Sequence, residues 1–218
     1  MSNLFNLDNP IFSIINKIVD IVLLSIVYTL ICIPIFTIGP ATTALYYTVV
    51  KNIRKERSYP FREFFKSFKD NFKQGLGLTI IFIVVYLILY VDIKFVQHSL
   101  TGTKQSVFMG IFIGLTVLAI IVNLYVFPYL SRFEITVKQL LKNCFYLAIR
   151  HLPSTLVLAV ITGASLLLSY LFFPIGSLII PGLSILLQSL LIERIFKKYM
   201  PEKLEDAVEQ GVDEWYLD

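Results

Sequence analysis

Leu152–Ile192 reads LPSTLVLAVITGASLLLSYLFFPIGSLIIPGLSILLQSLLI, 41 consecutive residues without one charge. A helix rises about 1.5 Å per residue and must cross roughly 30 Å of hydrocarbon, so about 20 apolar residues suffice for one crossing. The stretch is therefore too long for one helix. Phe173-Pro174-Ile175-Gly176 interrupts it near the middle, and a proline close to a glycine is a strong local breaker. The reading is two spans, about 152–172 and 177–192, joined by a tight turn.

Working outward, charge-free windows also lie between Lys73 and Asp92 and between Lys104 and Arg132, giving spans at about 76–91 and 106–130. The first window, Ile21–Val50, is less regular. Its 30 residues would form a helix of about 45 Å, longer than the hydrocarbon core, and Pro34 and Gly39-Pro40 lie inside it. A single kinked span over about 21–48 is the preferred reading, and a hairpin of two short helices is the other. The expectation is an all-α polytopic transmembrane bundle of about five spans in one domain over 1–200, followed by an acidic tail at 201–218.

Composition agrees: hydrophobic residues make up 56% of the 218 and charged residues 16%, against about 25% charged in soluble domains. The lipid bilayer is thus the first expected partner, in a multi-pass cell-membrane protein. Lysine and arginine set the orientation. Segments 51–73, 132–150 and 194–203 hold 16 of the 19. With five spans these segments share one face, which the positive-inside rule makes cytoplasmic, with the amino terminus outside. A hairpin at 21–50 would move only the amino terminus to the cytoplasm. The start lacks a basic n-region and a small-residue cleavage site, so a signal peptide is not expected.

Two amphipathic cytoplasmic helices are expected, at about 60–73 and 134–150. In the first, Phe61, Phe64, Phe65, Phe68 and Phe72 recur at helical spacing opposite Arg62, Glu63, Lys66, Lys69, Asp70 and Lys73, and Pro60 suits a first helical position. This is the pattern of an interfacial helix. The Phe stripe either packs on the spans as a cap or meets lipid or a partner, and the need to bury it argues against nucleic acid. Phe68–Gln74 (FKDNFKQ) and Phe145–His151 (FYLAIRH) hint at a duplicated span–amphipathic helix–span unit. In the tail, Leu204, Val208, Val212 and Trp215 suggest an amphipathic helix carrying seven acids, able to fold back on 51–73 or to bind a partner.

Candidate functional residues inside the spans are few. Gly39 and Pro40 form a helix break whose freed backbone groups Thr37, Thr42 and Thr43 can satisfy. Gly39, Pro40 and Thr42, with Asn123 and Gln188, are either parts of a polar path or a kink and interhelical hydrogen bonds. No acid or base lies deep in a span, which argues against proton- or ion-coupled transport. Catalysis is not expected: His98 and His151 are the only histidines, Cys32 and Cys144 stand far apart, and no P-loop, H-E-x-x-H or G-x-S-x-G pattern occurs. No cofactor or metal is expected.

The run Pro34–Tyr47, PIFTIGPATTALYY, followed by a basic stretch and Phe61–Gln74, FREFFKSFKDNFKQ, resembles the YesL-like family of bacterial membrane proteins, and the resemblance extends to FYLAIRHLP. The resemblance implies a five- or six-span helical protein in the genomic company of carbohydrate importers and glycoside hydrolases, with no catalytic residues to carry over. The resulting expectation is an accessory or regulatory component of carbohydrate uptake that docks an importer subunit or another membrane protein. The alternative is a small transporter or channel for a neutral solute such as a sugar.

Overall fold

The structure, a computed structural model, describes residues 10–54 and 59–199, with side chains over 15–52 and 59–199. The acidic tail at 201–218 lies outside the described residues. Eight α-helices follow in order: α1 (Pro10–Ile31), α2 (Ile38–Thr48), α3 (Pro60–Asp70), α4 (Phe72–Ser99), α5 (Gly102–Leu130), α6 (Val137–Arg150), α7 (Leu152–Leu171) and α8 (Ile175–Phe196). A 3-10 turn at Ile35–Thr37 precedes α2, and a π-helical segment at Val49–Arg54 continues it.

Among the described residues, α4, α5, α7 and α8 are long and apolar enough to cross a membrane. The chain is a multi-pass helical membrane protein. These four contain the expected spans at 76–91, 106–130, 152–172 and 177–192, each extended by a turn or more or shifted by a residue or two. The α7–α8 break falls at Phe172–Pro174.

The expected span at 21–48 is corrected: α1 ends at Ile31, and α2 begins at Ile38 and doubles back. The Tyr28 hydroxyl lies 3.2 Å from Thr42 Oγ1, a contact that brings α2 back along α1. Pro34 starts the turn, and the Thr37 hydroxyl lies within donating reach of the carbonyls of Ile31 and Pro34, the first of them an acceptor that the end of α1 leaves open. Gly39-Pro40 is therefore not a kink within a helix. Pro40 sits in the first turn of α2, where a missing N–H breaks no intrahelical bond. Thr42 and Thr43 donate to the carbonyls of Ile38 and Gly39, at 2.7 and 3.0 Å.

Helix α1 packs along α8 in the opposite sense. Thr29 Oγ1 donates to the Ser177 carbonyl, and Ser25 Oγ accepts the Gly182 N–H at 2.9 Å. Gly182 is required there, because a Cβ would meet the Ile21 carbonyl at 2.9 Å. The start of α1 consequently shares an end of the bundle with the close of α8. Taken with the orientation rule, this reverses the expected external amino-terminal side.

Helix α2 is the hub. Nearly all its residues are buried, and it touches α1, α3, α4, α5 and α8. Its close crossing of α4 relies on glycine at both sides: a Cβ on Gly39 would meet the Gly75 carbonyl at 2.8 Å, and one on Gly75 would meet the Pro40 nitrogen at 2.9 Å. Without a strong hydrophobic drive between helices in lipid, such backbone proximity is what contributes packing energy. The core continues through Tyr46, Leu78, Tyr125, Leu140 and Phe196 toward the basic end.

Candidate functional site

Charged groups buried at the basic end form the most unusual chemistry in the bundle. Tyr129 and Phe133 stack on each other and both meet Phe196 edge-on, with ring centroids 4.3 to 5.8 Å apart, at the turn that leaves α5. That turn carries Arg132 inward. Its Nη2 donates to Glu193 Oε1 at 3.1 Å, with the two side chains 2% and 5% exposed. Tyr46 donates its hydroxyl to the same Glu193 oxygen at 2.8 Å, and the Arg132 guanidinium lies 5.8 Å above the Tyr46 ring. One acid on α8 thus ties together α2 and the end of α5.

A second pair lies beside it. Lys51 Nζ donates to Glu63 Oε2 at 2.9 Å and to the Tyr47 hydroxyl at 3.1 Å, fastening α3 to the end of α2. Burial alone would lower the Lys51 pKa, but these two partners hold it above its ordinary value. Expected on the solvent face of α3, Glu63 is instead buried, as is Ser67. The helix turns only part of its Phe stripe inward: Phe64 is fully buried and Phe68 stacks beside it, whereas Phe61 and Phe65 are exposed. Phe72 opens α4 and contacts Phe68 at 5.4 Å.

Between α3, the start of α4 and the α5–α6 turn lies an open cleft of about 620 Å³. Lys66, Asp70, Asn71 and Gln74 form one wall, and Glu134, Thr136 and Gln139 the other. Its floor is held by the ion-paired Arg132 and by Tyr47. Gln74 Nε2 reaches across to the Ile135 carbonyl at 3.4 Å. Thr136 caps α6 with Gln139 returning to it, so that wall is set by a capping box. The arrangement offers mixed donors and acceptors on a rigid base, suited to a polar partner surface.

The polar residues singled out within the spans lie apart. Thr42 meets Tyr28 between α1 and α2. Asn123 on α5 faces Tyr86 on α4. Gln188 on α8 donates to Ser184 at 2.9 Å and to Thr162 on α7 at 3.3 Å. Gly39 and Pro40 are packed against α4 and α5. Each polar group thus serves a different helix pair.

Sequence reasoning missed the Tyr46–Glu193–Arg132 cluster, because both charges stand where an apolar window ends and read as solvated flanks. A faint signal existed: Glu193 is the one acid among the basic residues that follow the last span.

Residues 18–93, from within α1 to within α4, match the family described as "Protein of unknown function, DUF624". Over 135 residues the chain is 26% identical to "Uncharacterized protein YesL" of Bacillus subtilis (strain 168), covering 62% of this chain and 63% of that protein. Over 151 residues it is 27% identical to "Uncharacterized protein YteU" of the same organism, covering 68% and 67%. The chain thus spans a little under two thirds of the length of YesL. No solved structure matches it significantly. The DUF624 match lies over the helical hairpin and its crossing of α4, and with both relatives aligned the chain is similar to the YesL-like membrane proteins of unknown function.

Proposed function

We propose that this protein is a non-catalytic accessory component of carbohydrate uptake in the bacterial cell membrane, docking an importer subunit at its cytoplasmic cleft. The observation that carries the reading is the cleft between α3 and the α5–α6 turn, polar on both walls, floored by the buried Arg132–Glu193 pair and flanked by the part-buried Lys51–Glu63 pair. A docking surface benefits from such a base, since less order is lost when a partner binds. The link to carbohydrate uptake comes from the family resemblance alone, an association and not a mechanism. The dispersed polar groups of the spans give less support to a solute path.

Co-purification from the native membrane tests the reading. Wild-type protein should capture an importer subunit, and Asp70→Lys with Glu134→Lys should lose it while remaining folded. Sugar uptake into liposomes holding the purified protein, above empty vesicles, would instead establish the transporter reading and remove this one.

A further inference from the structure

We infer that α3 and α6 are a pair of anchors for anionic phospholipid headgroups, seated where spans α4 and α7 enter the membrane. This inference does not depend on the docking role. Each helix is joined to its span by a single residue, Asn71 after α3 and His151 after α6. Such a short joint keeps each helix at the level where its span leaves the hydrocarbon.

At that level both helices expose large apolar side chains. Phe61 and Phe65 on α3 are 38% and 53% exposed, and Phe145, Tyr146 and Ile149 on α6 are 45 to 52% exposed. Their opposite faces are already used: Phe64 and Ser67 are buried on α3, and Leu140, Cys144 and Leu147 on α6. The exposed aromatics are thus a second apolar flank, left over after packing on the bundle is complete.

Cations share that flank. Lys138, Lys142, Phe145 and Ile149 follow one another at spacings of four, three and four, which places them on one stripe of α6. Arg150 lies 5.9 Å over the Tyr146 ring at the edge of the same stripe. On α3, Arg62, Lys66 and Lys69 are exposed alongside Phe61 and Phe65. Lys66 borders the cleft as well, beside Asp70, while the two exposed acids of this region, Asp70 and Glu134, both line the cleft and neither lies on the aromatic flank. Aromatics entering the acyl boundary beside a row of cations match a surface bearing negative headgroups. A zwitterionic surface would take the aromatics but bring no net negative charge to match the six cations.

The test uses the full chain in neutral detergent, with the thermal midpoint read after adding phosphatidylglycerol or phosphatidylcholine. Phosphatidylglycerol should raise the midpoint clearly more, and raised salt should shrink the difference. The advantage should fall in Arg62→Gln/Lys66→Gln/Lys69→Gln and in Lys138→Gln/Lys142→Gln/Arg150→Gln, and vanish when the two sets are combined. Replacing the four lysines by arginine should preserve it. Equal shifts from both lipids on the wild type would overturn the inference. So would an unchanged phosphatidylglycerol advantage in both triple variants, which keeps the test decisive if the combined variant does not fold. Glycerol phosphate reproducing the full shift would overturn it as well, assigning the cations to a free phosphate ester and not to a lipid surface.

Discussion

Removing the Glu193 carboxylate while leaving Arg132 in place is the sharpest perturbation of this fold. The charges stand 3.1 Å apart, and at an effective dielectric near 20 their attraction is about 5 kcal/mol. Desolvation offsets much of that in the intact pair, but not when one member stays buried without this ion-pair partner. Breaking a buried pair costs about 3–5 kcal/mol, so Glu193→Gln and Arg132→Met should each destabilise by that much. Tyr46→Phe, which removes one hydrogen bond to a charged acceptor, should cost about 1.5–3 kcal/mol. The Arg132→Met/Glu193→Gln double variant should recover most of the loss, because both charges are gone. Unfolding in mixed micelles, followed by helical circular dichroism, gives the four values of the cycle. Ionic strength should change them little, since the pair is shielded from solvent. Additive single losses, or a Glu193→Gln cost below about 1 kcal/mol, would refute the reasoning, for then the pair would be neither buried nor coupled as its geometry requires.

Four further outcomes follow from the packing. Gly39→Ala and Gly75→Ala should sharply reduce the monodisperse peak in size-exclusion chromatography, because each Cβ meets backbone within 3.0 Å, whereas Gly110→Ala and Gly114→Ala, with open space around them, should not. Phe64→Asp should abolish folded protein, while Phe65→Asp, at an exposed position, should leave yield largely intact in detergent. An impermeant thiol reagent should treat cysteines placed at Pro10 and Lys197 alike and one at Thr103 oppositely, as the pairing of α1 with α8 requires. His151 is held below its ordinary value of 6.5 by burial and by Lys198 and Arg150. The unfolded chain therefore binds more protons as pH falls through that value, so stability should decline there, and melting of His151→Gln should show a flatter dependence between pH 7.5 and about 5.

Spans α4, α5, α7 and α8 were legible because a charge-free window is a local property, and in lipid a backbone can satisfy itself only as helix. Helices α3 and α6 were legible from spacing, although spacing could not say which half of the Phe stripe turns inward. That choice depends on what α2 presents to α3, and Glu63 went inward because Lys51 waits there. The turn at 32–37 was harder, since Pro34 and Gly39-Pro40 are as compatible with a kink as with a reversal. What decides it is the tight fit of Gly39 against Gly75 and of Gly182 against Ile21, contacts between distant segments. The Glu193 cluster was hidden for the same reason: its partners stand 61 and 147 positions away along the chain.

That separation bears on how the protein is made. Tyr46 and Arg132 are synthesised well before the acid they need, and at about 5–20 residues per second the 147 positions between Tyr46 and Glu193 take about 7–30 s to emerge. Over that interval the hub helix α2 sits among incomplete neighbours with its closing contact unmade. Until α8 is made, the nascent bundle lacks the acid that joins α2 to the end of α5. A message truncated anywhere before Glu193 should yield no persistent fragment, even though most of the spans have already been inserted.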